Sequence, residues 1–356
     1  LDPVAQDEHD VPVEHELEHE HADNNKIERG HHSHDGEHNH HHRKSRKSGD
    51  KRERPAHRNK EEHVKMFKNA QETFYALLLA SRKKCEWPMD KFFFQAFMAG
   101  MMMGVGGTLS ISVAYAMDSS DPGVIKLMFA SLFPIGLLII LLMQYELWTG
   151  NLMIMLTGFV CRQITFSSLL MSMGLCYAGN WAGAVTYAWW IDSVCDLFHG
   201  KDAMIAKIQD LAVAKTTHSF GENLALGILG NFMVNISIVL YFSGEDNMSK
   251  IAGVYLGIMT FVASGYEHSI ANMFYCTLSI FMGSSCSYGL FVWKNLIPVS
   301  IGNFIGGGVF VGLALVYDFY ANNELPAASF GTLTKPAQLS PVKWSCLPFV
   351  KARFAN

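Results

Sequence analysis

Residues from about 92 to 320 run apolar in stretches longer than a soluble core helix uses, while residues 1 to about 84 and 335–356 are polar and charged. A helical bilayer crossing takes about 20 apolar residues. Six stretches reach that length: Phe92–Ala116, Val124–Val160, Ile164–Ile191, Leu224–Phe242, Ile251–Met282 and Leu290–Tyr317. The second and fifth are too long for one straight crossing. Each reads as helix, interruption and half-helix, with the interruptions at Glu146–Asn151 and Glu267–Asn272.

The two interruptions repeat. Tyr145-Glu146-Leu147-Trp148-Thr149-Gly150-Asn151 and Tyr266-Glu267-His268-Ser269-Ile270-Ala271-Asn272 share the pattern Y-E-x-x-x-x-N. A second pair follows each: Gly179-Asn180-Trp181-Ala182-Gly183 and Gly302-Asn303-Phe304-Ile305-Gly306. Between Leu127 and Cys161 the only charged residue is Glu146. Between Ile251 and Trp293 the ionisable residues, cysteines and tyrosines aside, are Glu267 and His268. Intramembrane ionisable groups are costly and mark functional sites. Backbone that leaves the helix at membrane depth is tolerated only where protein or a watery cavity satisfies it. Three crossings separate one break from its counterpart, so the second half is expected to be inverted, with a site near the midplane between halves. The weak glycine match of Gly100 and Gly104 with Gly227 and Gly230 pairs the first and fourth spans.

Composition adds less. The formal net charge of −4 sums regions that face different solvents. Seven scattered cysteines form neither a disulfide framework nor a zinc pattern. The acidic start Leu1-Asp2-Pro3 is unlike the basic leader of a cleavable signal peptide, so none is expected. Arg82, Lys83, Lys84, Arg162, Lys335, Lys343, Lys351 and Arg353 place both termini on the cytoplasmic side, although Lys201, Lys207 and Lys215 weaken the bias. Thirteen of sixteen histidines lie in the N-terminal segment, which its charge and low apolar content mark as disordered. The expected layout is a His-rich cytoplasmic tail (1–84), a transmembrane transporter domain (85–320) and a cytoplasmic C-terminal tail (321–356). Within the first tail, Glu61 to Arg82 reads as an amphipathic helix on the membrane face.

The motifs resemble the formate–nitrite transporter family over residues 92–317. The resemblance is carried by Ala99-Gly100-Met101, Leu147-Trp148-Thr149-Gly150-Asn151, Gly179-Asn180, Lys215-Thr216-Thr217-His218-Ser219-Phe220, Asn295-Leu296-Ile297-Pro298 before Gly302-Asn303, and above all Gly265-Tyr266-Glu267-His268-Ser269-Ile270-Ala271-Asn272. This last string is similar to the apicomplexan-parasite branch, whose members export lactate and formate with protons. The resemblance implies an all-α, aquaporin-like fold of six transmembrane helices with broken second and fifth helices. It also implies a homopentamer with one pore per protomer, Thr149 and His268 beside central constrictions, and Lys215 at a vestibule. Two departures stand out. Gln95 occupies a position where relatives of that branch carry lysine, which leaves the partner of Glu267 open. Trp148 replaces the usual Phe and is expected to narrow the pore.

Chemistry gives each candidate a role. A carboxylate meets a large penalty in low dielectric. A cation at the mouth concentrates it, and a proton added before the constriction neutralises it. Lys215 is the expected anion collector, and it is expected to pair with Glu146 across the vestibule. His268 is expected either to shuttle the proton or to polarise a water that does. Thr149 and the backbone amides near Asn151 and Asn272 bind the carboxylate. Glu146 and Glu267 anchor the breaks, Asn180 and Asn303 satisfy unwound backbone, and Gly150 permits close helix approach. The expected activity is proton-coupled transport of small monocarboxylates (lactate, formate, pyruvate, acetate), with no cofactor, no resident metal, no nucleic-acid partner and no enzymatic step. The expected location is the plasma membrane. Two alternatives stand: an uncoupled formate or nitrite channel, and a metal-cation transporter using the His-rich tail. The second needs several intramembrane ligands, and His268 is the single intramembrane His. The aquaporin N-P-A pairs are absent from the breaks.

Overall fold

The computed structural model describes residues 66–117 and 121–321. The expectations for the His-rich tail up to residue 65 and for the C-terminal tail from residue 322 lie outside the described residues. The regular structure of those described is helical, and the helices are joined by short turns; an isolated bridge pairs Phe67 with Gly244.

In chain order the helices are α1 (Ala70–Cys85), α2 (Met89–Ala114), α3 (Pro122–Leu132), α4 (Pro134–Leu142), α5 (Trp148–Val160), α6 (Phe166–Trp189), α7 (Asp202–Thr217), α8 (Phe220–Ser243), α9 (Asn247–Ser264), α10 (Ser269–Phe281) and α11 (Tyr288–Tyr320). Four are long and apolar enough to cross a bilayer: α2, α3 with α4, α8 and α11. The pair α9 and α10 forms a fifth, bent by 56° at its break. α6 has spanning length, but serines, tyrosines, tryptophans and Asn180 dilute its hydropathy. Large apolar side chains such as Phe94, Phe166, Leu170 and Leu256 stand outward, as a hydrocarbon environment demands.

The chain breaks where the polar signals stand, slightly earlier than their full extent. Residues 143–147 and 265–268 are non-helical, whereas Thr149, Gly150, Asn151 and Asn272 already belong to the first turns of α5 and α10. Gly265 closes α9 in the left-handed region at φ 76°, where a side chain is strained. α3 and α4 also meet at a step the sequence reading lacked, because Pro134 has no N–H to continue the ladder.

Two helices change the expected plan. The stretch read as a loop around 192–216 contains α7, and the stretch read as a membrane-surface helix is α1. Both have 16 residues. α1 does not lie free on a surface: Phe74, Leu77, Leu78, Ser81 and Cys85 are buried, and it packs on α5 and α8. α7 packs on α10 in the corresponding way. The repeat therefore runs α1 to α6 and α7 to α11, with α2 packed on α6 and α8 on α11. The halves interlock, since α10 packs on α6 and α2 while α5 packs on α11 and α8.

Small residues allow this approach. Gly230 of α8 faces the second break so closely that a Cβ would collide with the Glu267 carbonyl oxygen. Gly230→Ala is expected to lower stability by about 1–3 kcal/mol, the usual cost of overpacking a fixed backbone. A lower unfolding temperature in detergent checks this, and an unchanged one rejects it.

Candidate functional site

Each break is held by the same constellation. At the first, the Glu146 carboxylate accepts from Lys84 Nζ at 2.6 Å and from Asn151 Nδ2 at 2.7 Å. Asn180 Nδ2 donates to the Glu146 carbonyl at 2.9 Å and to the Ala96 carbonyl at 2.7 Å, while its Oδ1 accepts from the Trp148 N–H at 2.9 Å. At the second, the Glu267 carboxylate accepts from Lys215 Nζ at 2.9 Å and from Asn272 Nδ2 at 2.5 Å. Asn303 Nδ2 donates to the Glu267 carbonyl at 3.1 Å and to the Gly227 carbonyl at 2.8 Å, and its Oδ1 accepts from the Ser269 N–H at 2.9 Å. The glutamate N–H groups donate to Gln95 O at 3.3 Å and Leu226 O at 3.2 Å. Glu146 is fully buried and Glu267 nearly so. Buried charges persist when paired and hydrogen-bonded.

These contacts correct three expectations. Lys215 pairs with Glu267, not with Glu146, because α7 packs beside α10. The partner of Glu146 is Lys84 at the end of α1. Gln95 does not bear on the partner of Glu267, since its backbone serves the first break. The backbone amides of Asn151 and Asn272 are not free for a ligand: they donate to Leu147 O at 2.9 Å and His268 O at 3.0 Å as their half-helices begin.

The breaks meet through one bond. Thr149 Oγ1 lies 2.7 Å from His268 Nε2, both side chains being buried. His268 Nδ1 accepts from the Ala271 N–H at 3.1 Å, so the neutral ring carries its proton on Nε2 and donates it to Thr149. The Thr149 hydroxyl hydrogen is then available to a second acceptor. Asn231 and Asn235 of α8 fix this threonine, donating to its carbonyl at 3.1 Å and 3.2 Å. Sequence reading missed both, although asparagines four apart on one face of an apolar span are a legible signal. It placed Asn295 in a motif without giving it a role; Asn295 accepts from Asn272 at 2.7 Å and donates to the Lys215 carbonyl at 3.1 Å.

Two cavities approach the pair. The first, about 430 Å³, reaches Lys215, Glu267, His268 and Tyr275. The second, about 390 Å³, reaches Lys84, Glu146, Tyr145 and Ile154. Phe133 and Phe261 line the first, and the Phe261 ring stands edge-on to His268 at 5.9 Å. Trp148 lines neither cavity and does not narrow them. Its ring packs edge-on against Tyr177 at 4.9 Å. Gly150 faces Ile238 of α8 and permits that approach. Among the described residues no group of three or more His, Cys, Asp or Glu is placed to hold a metal ion.

The sequence profile described as "Formate/nitrite transporter" matches residues 71–317. The chain belongs to the formate/nitrite transporter family. It is similar to formate-nitrite transporter 3 of Toxoplasma gondii, 31% identical over 67% of this chain and 49% of the relative, about half its length. It is also similar to the uncharacterized transporter YrhG of Bacillus subtilis, 33% identical over 69% of this chain and 92% of the relative. Among solved structures it resembles a pentameric formate channel with formate bound, with a TM-score of 0.58 and 25% identity over 65% of this chain and 97% of the other. As a formate/nitrite transporter, the chain is an integral membrane protein of transporter or channel type and not an enzyme. Its family match begins at residue 71, taking in α1 and with it Lys84.

Proposed function

We propose that the protein carries small monocarboxylates, formate and lactate foremost, together with a proton through a passage in each protomer. The observation that carries this reading is the Thr149–His268 hydrogen bond, which joins the two breaks, with His268 lining the first cavity and Glu146 of the other break lining the second. A carboxylate entering from either cavity faces apolar walls, where an anion is costly. The Thr149 hydroxyl is oriented by His268 to donate to it. The proton that neutralises the acid comes from water in the cavity, guided by the Thr149 hydroxyl that the His268 Nε2–H orients; the neutral ring keeps its own proton and the acid crosses uncharged. His268 can act this way because its Nδ1 is held by a backbone amide and its Nε2 faces the Thr149 hydroxyl.

The same reading takes six crossings in an inverted repeat, with α3 to α5 and α9 to α10 as the broken spans. It places both termini on the cytoplasmic side of the plasma membrane. A homopentamer is favoured by the structural relative, which is a pentameric channel. The Gly265–Asn272 string, through its resemblance to the parasite branch, favours lactate beside formate.

A second reading, an uncoupled formate or nitrite channel, is favoured by the description of that same structural relative. One experiment separates them. Purified protein in liposomes is given a panel of monocarboxylates and nitrite, with and without an imposed pH gradient. Coupled transport is expected to accelerate several-fold toward the alkaline side, with internal acidification and no current. Flux that ignores the gradient and appears as current selects the channel.

A further inference from the structure

The two buried ion pairs contribute little net field at the cavity mouths, because each lysine is neutralised by its glutamate within hydrogen-bond distance. The charge left to attract an anion lies elsewhere. In the first cavity, beside the buried His268 and the tyrosines Tyr115, Tyr266 and Tyr275, the other charged or titratable lining groups are Lys126 and His218. His218 lies 4.0 Å from Glu222, whereas Lys126 is exposed and makes no ion pair or hydrogen bond among the described residues. In the second cavity Lys68 is paired with Glu245 at 3.3 Å, and Lys83 reaches only Gln144 at 3.5 Å. Lys250 has no carboxylate partner among the described residues and stands 5.7 Å from the Tyr241 ring.

Lys126 and Lys250 are counterparts. Asp121 caps α3 by accepting from the Gly123 N–H at 2.8 Å, and Asp246 caps α9 by accepting from the Ser249 N–H at 3.0 Å. Lys126 follows its capping aspartate by five residues and Lys250 by four, so each sits about one turn into the broken span of its half. Each also faces the break of the opposite half: Lys126 shares its cavity with Gly265 and Glu267, and Lys250 shares its cavity with Gln144 and Glu146.

We propose that Lys126 and Lys250 are the anion-capture residues of the two vestibules, one for each face of the membrane, related by the internal repeat. Lys83 reinforces the second. Lys84 and Lys215, by contrast, hold the breaks in shape. The capture role deepens the transport reading and rests on it only for the identity of the anion. An unneutralised ammonium raises the local concentration of a small anion without contacting it at the constriction. A single charge acting over about 7 Å of water changes that concentration about threefold, and salt screens the effect.

The test uses the full chain in oriented liposomes, measuring initial rates of formate, lactate and nitrite entry from each face. At low ionic strength K126Q is expected to raise the half-saturating concentration about threefold from one face only, and K250Q from the opposite face only. Maximal rates stay at the wild-type level, and K126R and K250R behave as wild type. At about 0.5 M salt, where the screening length is roughly 4 Å, the differences disappear. Unchanged half-saturation, a shift that survives high salt, or a fall in maximal rate overturns capture alone. A wild-type protein that passes none of the three anions overturns the transport reading and capture with it.

Discussion

His268→Phe is expected to abolish monocarboxylate flux while the protein still assembles. An aromatic ring is kept, so an edge-on contact with Phe261 survives. What is lost is the Nε2–H that orients the Thr149 hydroxyl, and with it the hydrogen bond that guides a proton to the acid at this depth. A positioned proton donor is worth about a hundredfold or more in rate, so uptake in liposomes should fall to the level of empty vesicles. The Ala271 N–H also loses its acceptor at Nδ1, a cost of about 1–3 kcal/mol that a half-helix packed on α6, α2 and α7 can bear. Wild-type elution on size exclusion, together with absent uptake, is the expected pair of results. Full uptake by the variant would remove His268 from the mechanism.

Glu267→Ala is expected to fail in the opposite way, through loss of the folded protein. The Glu267 carboxylate is the shared acceptor of Lys215, Asn272 and Asn295. Its removal strands a lysine that is only 14% exposed. Breaking one side of a buried pair costs about 3–5 kcal/mol, a large share of the margin that keeps a protein folded. The double replacement Lys215→Met with Glu267→Gln keeps volume, removes both charges and should recover much of the loss. Thermal unfolding in detergent reads both variants. A single variant as stable as wild type, or a double variant no better than the single, rejects this account of the break.

The breaks were readable because a glutamate inside an apolar run has few explanations. Their repetition at Tyr145–Asn151 and Tyr266–Asn272 then exposed the internal duplication. The lysine partners were harder. Lys84 stands in a run, Arg82-Lys83-Lys84, that reads as an orientation signal, and nothing local says which base turns inward. α1 and α7 each mix charged and apolar residues, so neither resembles a span, and one was read as a loop. Yet the repeat held the answer: Lys84 precedes Gln95 by 11 residues, and Lys215 precedes Leu226 by 11. Gln95 and Leu226 supply the matching backbone acceptors to the two glutamates. Extending the duplication upstream of the first span would have paired both lysines correctly. The fate of Trp148 was not legible, because whether a ring faces a passage or its wall depends on Tyr177, a contact across helices.

The bond between Thr149 and His268 has a mechanical side. It stitches the first break to the second at the centre of the molecule, and α8 adds further stitches through Asn231 and Asn235. Two halves sewn together at their midpoint have no seam along which to rock, so a see-saw cycle between outward and inward forms would tear the stitching at every turnover. Traffic through such a frame is paced by local events, a hydroxyl swinging or a phenyl ring yielding, and its temperature dependence should be as shallow as that of diffusion through a narrow fixed duct.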